Sequence, residues 1–219
     1  VNRTAYPAGV LTLLAVACGF TACTESTPPV PAILPEWTRA AEWTNKIQVL
    51  NYDSFRPTPT GPEAHLTRLE YTRIQSTPEG AVVFYQVCTT DVTSRLSMAL
   101  GGIPPADTAI AFEALPLTLR GMRFATNEVR ELKVWPPVKQ TGQEPGAPVR
   151  CRAAVTRTAN VTVPWGTTRA YEVVLSEGLQ ARYWFAVDGK SPLAGALLQL
   201  DTPEGHKWML SGLEWQTKP

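Results

Sequence analysis

The sequence predicts a mainly β fold of the α+β type, a curved antiparallel sheet or half-barrel carrying a short helical insertion, and three observations lead there. The first is punctuation. Twenty prolines in 219 residues, well above the average of about 5 per cent, fall in clusters between short apolar runs, which favours many short strands over long helices. The second is period-two alternation, cleanest where Val149, Cys151, Ala153 and Val155 would face a core while Arg150 and Arg152 face water. The third is a set of reversal signals: Pro78-Glu79-Gly80, Ser176-Glu177-Gly178, Asp188-Gly189-Lys190 and Pro203-Glu204-Gly205 each put glycine where a positive φ turns the chain back. Tight turns between consecutive strands imply an antiparallel meander.

In chain order, residues 1–23 read as an export signal with a lipoprotein processing site. Arg3 supplies a positive start, Val10, Leu11, Leu13, Leu14, Ala15 and Val16 a short apolar stretch, and no acidic residue precedes Glu25. The stretch is shorter than the about 20 apolar residues of a spanning helix, so cleavage is expected. Two segments, Ala15-Val16-Ala17-Cys18 and Phe20-Thr21-Ala22-Cys23, resemble bacterial lipoprotein processing sites, in which small residues precede a cysteine that becomes the acylated N-terminus. Spacing favours Cys18. Counting favours Cys23, because acylation there leaves Cys88 and Cys151 as an even pair in an oxidising compartment, where a disulfide is expected between them. Lipidation is therefore expected at Cys23, with Cys18 as the alternative and plain secretion after Ala17 also open. Residues 24–35 form a proline-rich tether, and residues 36–219 a single β-rich domain.

Within that domain, strands are expected at Lys46 to Tyr52, Leu66 to Gln75, Ala81 to Thr89, Val129 to Trp135, Val149 to Val155, Tyr171 to Leu175, Gln180 to Val187, Leu197 to Leu200 and Lys207 to Trp215. Helix is scarcer. Asp91 could cap a helix with Val92, Leu96, Ala99 and Leu100 on one face and Gly101-Gly102 as its stop. Asp107 to Leu115 could be helix, although Ala109 to Phe112 reads equally as strand, and a turn or two is allowed from Glu36 to Trp43.

Charge and chemistry narrow the function. Twenty basic residues balance 19 acidic ones with no block of like charge, so nucleic acid is not an expected partner. The two histidines, His65 and His206, belong to no spaced ligand motif and read as surface residues; neither metal nor cofactor is expected. No G-x-S-x-G occurs, and Glu70, Glu131, Glu172 and Asp201 are scattered singly on presumed solvated strand faces. An enzyme is not expected; a hydrolase whose carboxylates meet only in three dimensions is the remaining catalytic alternative.

Aromatic residues carry more suggestion. In a strand, Tyr183 and Phe185 point to one face and Trp184 to the other. On the last strand Trp208 and Leu210 oppose Met209, Leu213 and Trp215 in the same manner. Both faces then need apolar cover. Tyr183, Trp184, Phe185, Trp208 and Trp215 are accordingly the candidate contacts for an acyl chain or similar apolar ligand, against the alternative of a core filled by the helical insertion.

The series Val161-Thr162-Val163-Pro164-Trp165-Gly166-Thr167, then Tyr171-Glu172-Val173, then Ala181-Arg182-Tyr183-Trp184-Phe185-Ala186-Val187-Asp188-Gly189-Lys190-Ser191-Pro192-Leu193 resembles a pattern in uncharacterised bacterial envelope lipoproteins, which are similar to the half-barrel of the lipoprotein-localisation carriers. The resemblance covers about the last sixty residues and departs from the pattern at Trp165. It implies an open sheet curved round an apolar concavity under helices, and no catalytic residues. The expectation is a non-catalytic lipoprotein of the bacterial cell envelope, periplasmic or at the outer surface. The lipid anchor would make the membrane its first partner, and the domain would bind an apolar ligand or an envelope component.

Overall fold

The structure is a computed structural model that describes residues 46–77, 80–88, 93–100, 109–120, 127–136, 146–187, 193 and 195–217. The expected signal, the tether, the Glu36 to Trp43 turn, Cys18 and Cys23 lie outside the described residues. The first meander is β1 (Lys46–Thr58), β2 (Gly61–Thr77), β3 (Gly80–Cys88) and β4 (Thr93–Leu100). A short β5 (Ala109–Ala111), a 3₁₀ turn (Phe112–Ala114) and helix α1 (Leu115–Arg120) follow. The second meander is β6 (Val129–Trp135), β7 (Val149–Val163), β8 (Gly166–Ser176), β9 (Ala181–Ala186), β10 (Leu197–Asp201) and β11 (Lys207–Thr217).

All eleven strands form one sheet in the order β4-β3-β2-β1-β11-β10-β9-β8-β7-β6-β5. Each hairpin is local, and the two meanders are joined where β1 pairs antiparallel with β11, from Lys46 opposite Thr217 to Phe55 opposite Lys207. Among the described strands only β5 and β6 run parallel, joined through the kind of crossover that a parallel pair needs. The sheet ends at β4 and β5 without pairing them, so it is open. It is also curved: α1, which follows the β5 edge, touches β4 at the other edge. The concave face is therefore the one that carries the helix.

Residues paired in register share a face, and they define the core. Leu50 and Leu69, Tyr52 and Leu210, Tyr71 and Tyr85, Leu200 and Tyr183, Val173 and Val155, and Cys151 and Leu132 are paired or consecutive on the concave side and buried in one apolar cluster. Ile110, Ala114, Leu115 and Leu119 of the crossover complete it. The helix is short because Leu-Pro-Leu-Thr-Leu-Arg tolerates its proline only in the first turn.

Of four one-residue register shifts among the described strands, two reset the faces of residues that matter below. At Asn51/Tyr52 the β11 partner jumps from Gly212 to Leu210, leaving Ser211 unpaired. Leu213 and Trp215 thereby join Trp208 and Leu210 on the concave face, where strict alternation would have opposed them. In β7 the register shifts between Val155 and Arg157, so Arg157 turns outward opposite Glu172.

The structure corrects two further expectations of the fold. The segment expected as a helix after Asp91 is strand β4, paired with β3 from Thr93 opposite Cys88 to Leu100 opposite Ala81; ladder pairing outweighs a helical spacing of apolar residues. The Cys88–Cys151 disulfide is not formed, and both are free thiols. Six strands lie between β3 and β7. Cys88 is also paired with Arg68 on the convex face, whereas Cys151 is in the concave core. A bridge needs Cα atoms within about 7 Å.

Candidate functional site

The structure places Tyr183 and Phe185 together on the concave face, stacked at 6.2 Å between centroids and without solvent exposure. Val173 and Tyr171 flank them on β8, Leu200 and Leu197 on β10. Trp208 shares that face, 5.9 Å from the Tyr52 ring, and Trp215 stands opposite Gln48 further along β11. Trp184 is separated from the other four: it pairs with Glu172 on the convex face and is 7% exposed.

The concave face is polar at one place. The buried guanidinium of Arg120 lies over the Tyr71 ring, 5.4 Å from its centroid. Tyr52 donates its hydroxyl proton to the Leu197 carbonyl at 2.9 Å. Burial raises the Tyr52 and Tyr71 phenols, with Arg120 pulling back only in part, and burial lowers Arg120. The phenols remain neutral hydrogen-bonding groups beside a cation, which suits a structural anchor for α1.

Two clefts open elsewhere on the described surface. One of about 360 Å³ is lined by Val174, Ala181, Arg182, Asp201 and Pro203 where β8, β9 and the β10–β11 turn meet. Another of about 440 Å³ lies at the β1–β2 turn beside Thr58 and Glu63. Neither is lined by any of the five aromatic candidates.

Sequence reasoning missed a charged cluster on the convex face. Glu172 is only 4% exposed although it sits on the outer side of β8. It accepts hydrogen bonds from Thr156 Oγ1 at 2.7 Å and Arg157 Nε at 2.8 Å on one oxygen, and from Arg182 Nε at 2.9 Å on the other. Arg157 also lies over Trp184, 5.4 Å from its centroid. Burial alone would raise the Glu172 carboxyl, but the hydrogen bonds from Arg157 and Thr156 and the charges of both arginines hold it below the usual carboxylate range. A lone carboxylate inside the apolar run Ala170-Tyr171-Glu172-Val173-Val174-Leu175 was the available signal; its partners depend on a bulge that alternation does not reveal.

Two of the other candidate acids bond to a base or an amide. Glu70 pairs with Arg68 Nε at 2.7 Å and accepts from Gln86, and Asp201 accepts from Gln199 at 2.5 Å. The histidines are half-buried rather than open to solvent: His65 Nε2 is 3.2 Å from Arg56 and 3.3 Å from Glu63, and burial lowers His206 with Glu204 opposing. Among the described residues, no three His, Cys, Asp or Glu side chains come together as metal ligands.

Comparison with known proteins gives distant likenesses. No protein-family model matches the chain, and no curated protein does. Among solved structures, a Bacteroides fragilis protein assigned as exported, with a YmcC-like fold, is similar at 12% identity and TM-score 0.36, over 76% of this chain and 95% of its own. A Parabacteroides distasonis protein assigned as a lipoprotein is similar at 11% identity and TM-score 0.35, over 78% of this chain and 95% of its own. At these values the likenesses transfer neither role nor topology to this chain, and the resemblance to lipoprotein-localisation carriers gains no support from them.

Proposed function

We propose that this chain is a non-catalytic lipoprotein of the bacterial cell envelope, tethered through an acylated Cys23 or Cys18, whose β domain recognises a partner on its outer surface. The address rests on the Arg3, apolar-run and cysteine pattern of residues 1–23. The mode of action rests on one observation: Tyr183 and Phe185, the centre of the expected ligand wall, are completely buried in a cluster that includes α1 residues Leu115 and Leu119. A concavity plugged by its own helix supports the filled-core alternative over an acyl-chain carrier. Recognition then falls to the convex face, the loops and the sheet edges.

The test is mass spectrometry of the full chain purified natively from membranes and then extracted with organic solvent. A diacyl mass retained covalently on a cysteine, with no further stoichiometric lipid released, is the expected result. A released lipid would overturn the filled core, and a water-soluble product without acyl mass would overturn the tether.

A further inference from the structure

On the convex face, we propose that Arg157 and Arg182 form a clamp for a terminal phosphate group. This inference rests on the outward-facing recognition proposed above and names its ligand chemistry. Both guanidinium groups are fixed from behind. Each donates its Nε–H to a different oxygen of the same buried carboxylate, Glu172, which Thr156 also holds. Arg157 is further restrained by Trp184 beneath it. The two Nε atoms must therefore lie within about 8 Å of each other, the span of two hydrogen bonds and one carboxylate.

The outer ends are available. The Arg157 and Arg182 side chains are 61% and 56% exposed, and among the described residues their terminal nitrogens have no hydrogen-bond partner. Two pre-organised forks thus present N–H donors side by side to solvent. A guanidinium fork matches two oxygens of a planar or tetrahedral anion. A carboxylate satisfies one fork, whereas the three outer oxygens of a phosphate monoester can engage both.

The charges further along this face are mixed. Arg152, Arg150 and Lys133 lie on the same face of β6 and β7, with Arg152 opposite Ser176 and Arg150 opposite Lys133. Glu131 and Asp201 oppose them on that face. Asp201 lines the neighbouring cleft with Arg182, so the phosphate would sit on the Arg157 side and the rest of its molecule would extend toward Val174 and Pro203. The monoester could belong to a soluble small molecule or to a lipid headgroup of the membrane that holds the tether.

The experiment titrates the full chain in detergent micelles with glycerol 3-phosphate at physiological salt, and in parallel floats it on phosphatidylcholine vesicles with and without phosphatidic acid. Saturable binding in either arm is expected, and the arm in which it occurs assigns the source. Arg157→Gln or Arg182→Gln should weaken binding at least tenfold, as loss of a charge-assisted bond does. Arg157→Lys/Arg182→Lys, which keeps the charge and loses the forks, should weaken it comparably. The triple variant Arg157→Gln/Glu172→Gln/Arg182→Gln leaves no unpaired buried charge, which keeps the test independent of unfolding, and it should abolish saturable binding. No saturable binding in either arm, or full binding by the double lysine variant, overturns the clamp. Lipid released from the core would instead overturn the filled-core reading and leave the clamp result standing.

Discussion

Replacing Phe185 by Ala separates a filled core from a ligand cavity. Phe185 has no exposure, stacks on Tyr183 at 6.2 Å, and lies between Tyr171 and Leu197 on the neighbouring strands. In a packed interior, deleting the ring loses its transfer free energy and leaves a void that the stacked aromatics cannot fill, about 3–5 kcal/mol in all. With a urea m-value of about 2 kcal/mol per molar for a domain of this size, the unfolding midpoint should fall by about 2 M. Phe185→Leu should cost less than about 1.5 kcal/mol. A side chain lining an existing cavity behaves differently, because truncation merely enlarges a space already empty of protein. Equilibrium urea unfolding followed by tryptophan fluorescence checks this. A loss below about 1 kcal/mol at unchanged m-value, or stability restored by added fatty acid, would refute the filled core.

Three further outcomes are expected. Gly178→Ala should lower the melting temperature by about 5–10 °C, because φ is +112° and a Cβ there would stand 2.5 Å from the Arg150 carbonyl oxygen; Gly61→Ala, at φ +123° with open space around it, should cost about 1 kcal/mol, and equal melting shifts would contradict the steric account. Native protein treated with a thiol reagent should react at Cys88 well before Cys151, since Cys151 is buried and burial pushes its thiol up against a weaker opposing hydrogen bond from the Leu179 backbone; denatured, unreduced protein lacking these thiols would show that the pair is bridged. Glu172→Gln should destabilise by about 1–3 kcal/mol at neutral pH. The folded Glu172 carboxyl lies below its unfolded value, so its contribution is complete above about pH 4.3 and is lost as pH falls through the folded value. The deficit of the variant should shrink across that acid range in denaturant titrations, and a pH-independent deficit would remove the linkage.

Local pattern made nine of the eleven strands legible, because turn glycines and alternation act over a few residues. Val129 to Trp135 coincides with β6, and Lys207 to Trp215 falls within β11. Long-range pairing was not legible. Strand β7 continues past Val155 to Val163 because the bulge before Arg157 lets the ladder resume with β8 on the other parity, where the sequence loses its alternation. Strand β4 carries apolar residues at helical spacing and takes its ladder from β3. The same limit explains why Trp208 and Trp215 were expected on opposite faces: only the unpaired Ser211 turns Trp215 inward. The site lies beyond reach for the same reason. Glu172, Arg157 and Arg182 stand on three strands, and nothing in their spacing announces that they meet.

Apolar packing alone does not call for a carboxylate at position 172. Strand β8 is otherwise apolar from Ala170 to Leu175, and both faces at that point are buried. Moving a carboxylate there costs several kcal/mol in desolvation, offset by two arginines whose own charges stay largely in water and are therefore worth less to the fold. An apolar residue stacked against Trp184 would hold the sheet as well or better. What the carboxylate does that an apolar side chain cannot is fix two guanidinium groups through their Nε atoms, with the remaining donors turned outward. A filled concave core and an outer face organised around that one acid belong together: apolar packing occupies the concave side, and the buried carboxylate with its two arginines stands on the other.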